Sequence, residues 1–439
     1  MIDRCGMATR IAYEAFRAIR RQWHVSDLRE TQNRKLRDLV RYAYHNTVYY
    51  REVFDQHQVR PGDINTAEDI KLLPLLTKAT LRERFWDLLP RHLPACRVTK
   101  TSGSTGIPLV VLSDAWSKVH NSAAVIRTRR ALGMPFIGGP ILSVLKTRDN
   151  PEYREPHWTY LQGIHRTFYL NPYICSPENV RHAIAVSRTL CRPFLVGFTP
   201  AIRTLAYRIM DREFPTLSPK IVVTVGETLT LQTRRLLAST FQAPIADTYA
   251  CNEAGDMAWQ CLEVQGYHIN ADNCLVEIVC DGRDARHGEL GDVVVTNLNR
   301  RVMPIIRYTN DDTAVASAEV CACGRRLPLI MEIGGRRCHD VCLPNGDSVP
   351  WNQLKVLVSH PNVRQYQLIQ NEDASVTFRY VPERDCDVTS LGNMLVLRLE
   401  AAFHKQVRVT SECVNELSIT RGGKSMLLIS HYQRRAAMR

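Results

Sequence analysis

Between residues 140 and 246 short apolar runs alternate with segments of helical periodicity, and that alternation restricts the possible folds of the chain more than any other feature of its sequence. The apolar runs fall at 140–145, 194–197, 221–225 and 244–246. Helical spacing fills 177–190, 200–212 and 229–241, and Ser176 with Pro177 forms a start signal for the first of these. Strands and helices that alternate at this spacing bury one another's apolar faces and predict an α/β domain. Upstream, residues 8–48 place Leu36, Leu39, Val40 and Ala43 at helical spacing among basic residues, so helices with solvated Arg/Lys faces are expected. Between 63 and 89 the helical pieces are short, broken by Pro74 and restarted by Thr77 as a cap. Val98 and Thr99 read as a short strand, and 114–132 as a helix.

Beyond Asp272 the pattern turns to strands, at 275–279 and 292–296 with a charged turn at Asp281-Gly282-Arg283, which predicts an antiparallel or barrel-like part. Residues 341–439 read as a further unit. It has a hairpin at Pro344-Asn345-Gly346, alternation over 365–380 and a helix over about 389–404. The expected organisation is a large N-terminal α/β domain over 1–335, strand-rich from about 261 to 333, and a small α+β C-terminal domain over 336–439.

A chain of 439 residues with 45% hydrophobic content can bury a large core. Its 57 Lys+Arg against 44 Asp+Glu give a formal +13, which favours anionic partners without choosing among them. No apolar run approaches the roughly 20 residues that span a bilayer, and the N-terminal residues lack a signal-peptide core, so a cytoplasmic protein with no membrane partner is expected. Fourteen cysteines without the dense framework of a small secreted domain fit reduced thiols. Cys261, His268, Cys321 and Cys323 stand apart. Thiolate and imidazole ligands suit a tetrahedral Zn²⁺, but these four also fit two pairs of buried, unliganded side chains.

Thr101, Ser102, Gly103, Ser104, Thr105, Gly106, Ile107 and Pro108 form a run of hydroxyl and glycine residues that can wrap round phosphate oxygens. It is not a Walker loop, which needs Lys and then Ser/Thr after its last glycine. Gly423-Lys424-Ser425 fails that pattern as well, because Ser418 occupies the position of the earlier glycine.

Taken together these segments resemble the adenylate-forming superfamily, and within it the phenylacetate-CoA ligase-like branch of acyl-CoA ligases. The likeness runs through Lys35, Tyr49-Tyr50-Arg51 and 73–78. It continues through the 101–108 loop, then Val225-Gly226-Glu227, a strand-end GGE-type motif with Val225 in place of its first Gly. Further on, Tyr249-Ala250-Cys251-Asn252-Glu253 is similar to a Tyr-Gly-x-Thr-Glu motif. Arg307-Tyr308-Thr309-Asn310-Asp311-Asp312 is similar to Arg-Tyr-x-x-Gly-Asp, and Gly423-Lys424 to a C-terminal Gly-Lys. The resemblance implies that a carboxylic acid, aromatic or small and apolar, attacks the α-phosphate of ATP. It implies that Glu253 helps hold Mg²⁺, that residues 101–106 hold the β- and γ-phosphates, and that Asp312 accepts hydrogen bonds from the ribose. Lys424 would bridge carboxylate and phosphate, and Gly226, Glu227, Tyr249 and Asn252 would line the nucleotide site. The hinge arginine would come from Arg336 or Arg337. The branch also places cysteines of a Cys-x-Cys-Gly-Arg segment, here residues 321–325, in a zinc site with an upstream Cys and His. The resemblance therefore implies a closed, structural zinc.

Asn252 stands where the motif has Thr, and Asp311 where it has Gly. Phe198, Thr199, Pro200, Gly226 and Tyr249 follow or end predicted strands and are candidates for an acyl pocket. Coenzyme A is the implied acceptor, with a carrier-protein thiol or an amine as alternatives. The oligomeric state stays open, a homodimer included. Two other readings remain at this point: a ligase-like scaffold without catalysis, and a zinc-containing basic nucleic-acid-binding protein. The latter lacks an Arg/Lys stripe interleaved with exposed aromatics, and no nucleic acid is expected as a partner.

Overall fold

The computed structural model of the chain describes residues 4–100, 109–145, 157–161, 165–170, 177–190, 192–263, 266–336, 340–417 and 427–432. The basic, amphipathic N-terminal stretch forms α1 (Arg4–Arg21), α2 (Val25–Asn46) and α3 (Val48–Gln56). Thr47 separates the last two: its hydroxyl accepts from the Tyr50 amide and caps α3. Thr77 caps α4 (Lys78–Glu83) in the same way. β1 (Cys96–Lys100) and β2 (Val110–Asp114) pair antiparallel, with Lys100 opposite Val110, and so flank the 101–108 segment. Asp114 ends β2 and starts α5 (Ala115–Ala131), its carboxylate accepting from the Ser117 amide at 2.6 Å in a capping box.

The alternating segment builds β3 (Ile141–Val144), β4 (His157–Leu161), β5 (His165–Tyr169), α6 (Pro177–Arg188), β6 (Phe194–Phe198), α7 (Thr199–Met210), β7 (Ile221–Val225), α8 (Leu231–Phe241) and β8 (Ile245–Cys251). Strands β5, β3, β6, β7 and β8 run parallel in that spatial order, and β4 is antiparallel at the edge. Their apolar runs are continuous because both faces are covered. Leu142, Leu195 and Val222 pack under α6, α7 and α8, while Ile141, Val196 and Val223 pack on Leu132 and Met134 behind.

The sheet does not stop at β8. It continues antiparallel through β9 (Gly255–Gln260), β10 (Tyr267–Ile269), β11 (Cys274–Cys280), β12 (Arg283–Asp284), β13 (Leu290–Asn297), β14 (Tyr308–Ala316) and β15 (Leu329–Arg336). The spatial order is β12-β11-β13-β14-β15-β10-β9-β8-β7-β6-β3-β5-β4, thirteen strands among the described residues. Of the two alternatives read from the sequence, the antiparallel one holds, and these strands extend the α/β sheet itself.

A buried ion cluster fastens the N-terminal helices to this sheet. The Asp272 carboxylate lies 2.9 Å from Arg127 of α5 and 3.3 Å from Arg21 of α1, and its carbonyl accepts from Lys35 of α2 at 2.7 Å. Burial alone would raise the Asp272 pKa, but Arg127, Lys35 and Arg21 hold it down at about 2. Burial lowers Lys35 to about 8.

The C-terminal part comprises the hairpin β16 (Val341–Cys342) and β17 (Ser348–Val349), then α9 (Trp351–Val358), β18 (Val363–Gln370), β19 (Val376–Pro382), α10 (Val388–Ala402), β20 (Val409–Cys413) and β21 (Leu428–Ser430). Its four-stranded sheet, in the order β20-β19-β18-β21, shares a core with α9 and α10 around Leu354, Leu368, Phe378, Leu395 and Phe403. It rests on the larger part through polar contacts. Arg364 pairs with Asp211 at 3.1 Å, and the Gln232 amide donates to the His360 and Val363 carbonyls. No described helix is long and apolar enough to cross a membrane.

Candidate active site

The parallel half of the sheet gives way to the antiparallel half at the β8–β9 pair, and close to that junction three buried polar side chains from β8 and β14 close on one another. The Tyr249 hydroxyl at the end of β8 donates to Asp312 Oδ2 of β14 at 2.7 Å. Asn310 donates to the same oxygen at 2.8 Å and to the Tyr249 oxygen at 2.9 Å. Burial, and then Asp312, raises the Tyr249 pKa well above its usual value, so the phenol stays a donor. β14 slips register against β13 between Thr309 and Thr313, and Asp311 sits at φ +64 inside that irregularity. Such bulges re-aim side chains. Asp311 thus occupies the left-handed position where the resembling motif carries Gly.

Glu253 follows in the turn after β8. It is buried, its side chain accepts from the Tyr308 hydroxyl at 3.4 Å, and among the described residues no cation lies within 4 Å of it. Burial and Glu253 together push the Tyr308 and Cys251 pKa values up. Arg300 is near enough to Glu253 for the two charges to act on each other but makes no ion pair with it, so this buried carboxylate is a donor suited to Mg²⁺. Asn252 beside it is exposed and offers its carbonyl to Arg300 at 2.9 Å. Arg307, by contrast, is structural: it pairs with Glu277 at 2.9 Å and donates to the Leu73 carbonyl at 2.6 Å.

At the end of β7, Gly226 has φ +88, a turn that a side chain would strain, and Glu227 pairs with Arg203 of α7 at 3.5 Å. Thr199 is fully buried, and its hydroxyl donates to the Val225 and Glu227 carbonyls, which ties α7 to this turn. Pro200 is buried in the same first turn, whereas Phe198 is half-buried. Of the acyl-pocket candidates, Phe198, Gly226 and Tyr249 therefore lie at strand ends near one another, and Thr199 and Pro200 support them from behind. The β14–β15 register sets Asp312 opposite Arg336, and Trp351 of α9 packs against Gly335. Thr101, Ser102, Gly103, Ser104, Thr105, Gly106, Arg337 and Lys424 lie outside the described residues, and Arg336 is described by its backbone alone.

A second constellation lies on the antiparallel side. The donor atoms of Cys261, His268, Cys321 and Cys323 lie within 4.8 Å of one another. Sγ of Cys261 is 3.5 Å from Sγ of Cys321, and Sγ of Cys323 is 3.4 Å from Nε2 of His268. A zinc tetrahedron with Zn–S about 2.3 Å and Zn–N about 2.0 Å has edges of about 3.5–3.8 Å, which these separations match. Burial and Arg325 lower the His268 pKa to about 4, leaving the ring neutral as a ligand must be. The four residues join the loop between β14 and β15 to β9 and β10. That loop also grips the N-terminal helices, since the Arg326 amide donates to the Gln22 carbonyl and Arg325 stacks over Trp23 and Trp259.

Asn310, Arg300 and Arg203 were not singled out from the sequence. Asn310 entered only as part of the 307–312 motif, and the other two are reached only through tertiary contacts.

No family model matches the chain. Among solved structures, a 2-hydroxyisobutyryl-CoA ligase in its postadenylation state superposes with a TM-score of 0.74 over 94% of this chain and 91% of that one, at 16% identity. The chain shares the fold of that ligase. The same ligase in its thioesterification state gives 0.61 over 94% of this chain and 92% of that one. The AMP complex of the o-succinylbenzoate coenzyme A synthetase of Bacillus subtilis gives 0.53 over 76% of this chain and 69% of that one, at 14% identity. Sequence likeness points to the phenylacetate-CoA ligase-like branch. The phenylacetate-coenzyme A ligase of Thermus thermophilus is 27% identical over 365 residues, 80% of this chain and 79% of its own. Protein CapK of Staphylococcus aureus is 22% identical over 436 residues, 97% of this chain and 94% of its own.

Proposed function

We propose that this chain is an ATP-dependent acid–thiol ligase that activates an aromatic or small apolar carboxylic acid as its acyl adenylate and passes the acyl group to coenzyme A. The observation that carries this reading is the Tyr249–Asn310–Asp312 cluster beside the unpaired, buried Glu253, at the sheet junction of an adenylate-forming fold. In the first half-reaction a carboxylate oxygen attacks the α-phosphorus, and the bond to the β-phosphate oxygen breaks to release pyrophosphate. In the second, the thiol sulfur attacks the acyl carbon, its proton is lost and AMP departs.

Asp312, oriented by Tyr249 and Asn310, receives the ribose hydroxyls. Glu253 holds Mg²⁺, which when bound offsets the charge of the departing pyrophosphate. The 101–106 segment takes the β- and γ-phosphates through its amides and hydroxyls, and Asn252, Gly226 and Glu227 border the nucleotide. Phe198, backed by Thr199 and Pro200, and Tyr249 enclose the acid. Lys424 meets carboxylate and α-phosphate in the transition state, where one well-placed donor contributes roughly 3–4 kcal/mol. Arg336 or Arg337 supplies the hinge arginine between an N-terminal domain ending at 335 and a mobile C-terminal domain. Cys261, His268, Cys321 and Cys323 hold a structural Zn²⁺ with no open coordination position.

Product analysis tests the reading. Incubation with ATP, Mg²⁺, coenzyme A and a panel of acids should yield an acyl-CoA, AMP and pyrophosphate in equal amounts. ADP and inorganic phosphate in their place would refute it.

A further inference from the structure

Arg300 lies in the loop between β13 and β14, and its side chain is buried. One end of its guanidinium donates to the Leu112 carbonyl of β2 at 3.1 Å, and the other donates to the Asn252 carbonyl at 2.9 Å. Among the described residues no carboxylate lies within 4 Å of it, so two neutral carbonyls receive a buried charge. The adjoining backbone strengthens the same junction, because the Val302 amide donates to Asp114 Oδ2 at 3.1 Å where β2 ends. One side chain therefore joins the strand that follows the 101–108 segment to the turn that presents Glu253.

We infer that Arg300 is a positioning residue of the nucleotide site, fixing the Asn252–Glu253 turn against β2 so that the metal-holding carboxylate keeps one place relative to that strand. The inference rests on the ligase reading above. A guanidinium suits this task because its N–H groups diverge at fixed angles in one plane, so two bonds made by one head set a distance as well as a contact. A lysine has a single flexible head and cannot reproduce that geometry. Burial lowers the Arg300 pKa, and the charges of its surroundings, Glu253 and Asp114 among them, act against that and offset part of the cost of burying a guanidinium with no ion pair.

The test uses the full-length protein, Arg300→Lys and Arg300→Ala, with carboxylate-dependent ATP–pyrophosphate exchange as the assay. Arg300→Lys should raise both the KM for MgATP and the Mg²⁺ concentration for half-maximal rate by about 10-fold or more, while the KM for the acid changes by less than about two-fold. Added methylguanidinium should restore part of the MgATP affinity to Arg300→Ala and leave wild type unaffected. A merely structural role would lower the thermal midpoint and the active fraction without separating the two KM values. If wild type exchanges pyrophosphate with no acid, the ligase reading falls and this inference falls with it. If wild type is active but Arg300→Lys moves both KM values together, or neither, the positioning role alone is overturned.

Discussion

Replacing Asp272 by Asn removes one charge from the buried cluster while keeping its shape, and it should destabilise the protein more than any exposed charge change. Asp272 is enclosed by Arg127 at 2.9 Å, Arg21 at 3.3 Å and Lys35, and its side chain is almost wholly buried. Removing one partner of a buried ion pair strands the others at a cost of about 3–5 kcal/mol. Linkage gives an independent figure. A carboxyl held at about 2 in the fold, against 3.8 when exposed, corresponds to about 2.5 kcal/mol of stability at neutral pH. Because the folded pKa is depressed, this contribution is complete above about pH 4 and disappears as the pH falls towards 2. Urea unfolding should therefore show a lower midpoint for Asp272→Asn at pH 6, and the gap from wild type should close progressively below pH 4. Urea is the right denaturant because guanidinium chloride would screen the charges. A midpoint change equivalent to less than about 1 kcal/mol at pH 6, or a gap independent of pH, would refute the reasoning.

Three further outcomes follow from the site. Cys323→Ser should lower the thermal midpoint and abolish near-stoichiometric zinc, since a closed four-ligand site contributes folding energy; metal-free protein of unchanged stability would contradict this. Lys424→Ala should slow acyl-adenylate formation by at least ~100-fold while thioester formation from supplied acyl-AMP largely survives; single-turnover assays of the two half-reactions decide it. Asp311→Gly should leave stability within about 1 kcal/mol, because relief at φ +64 offsets the added backbone freedom. By removing a carboxylate beside Asp312 it should also lower the KM for ATP roughly two- to five-fold, and a higher KM would mean Asp311 helps to bind the nucleotide.

The α/β core was legible because its strands are short apolar runs with clear punctuation: Ser176-Pro177 before α6 and Pro200 in the first turn of α7. The union of the two sheet halves was not, because β9 reads Gly255-Asp256-Met257-Ala258-Trp259-Gln260 and lacks the alternation of an ordinary strand. Its polar ends are satisfied by partners remote in sequence: the Asp256 amide donates to Asn121, and Gln260 accepts from Arg234. For the site, the resemblance implied Tyr249, Glu253 and Asp312 as residues of one reaction, but not their support. Arg300 reaches β2 across 188 positions, a contact that leaves no local trace.

Carboxylate-dependent ATP–pyrophosphate exchange, run on the purified protein against a panel of aromatic and small aliphatic acids, tests the central claim most directly. The account predicts exchange with at least one acid, dependent on Mg²⁺, indifferent to added nucleic acid and reduced by at least ~100-fold in Glu253→Gln. Absence of exchange with every acid, together with salt-sensitive binding to nucleic acid, would contradict it.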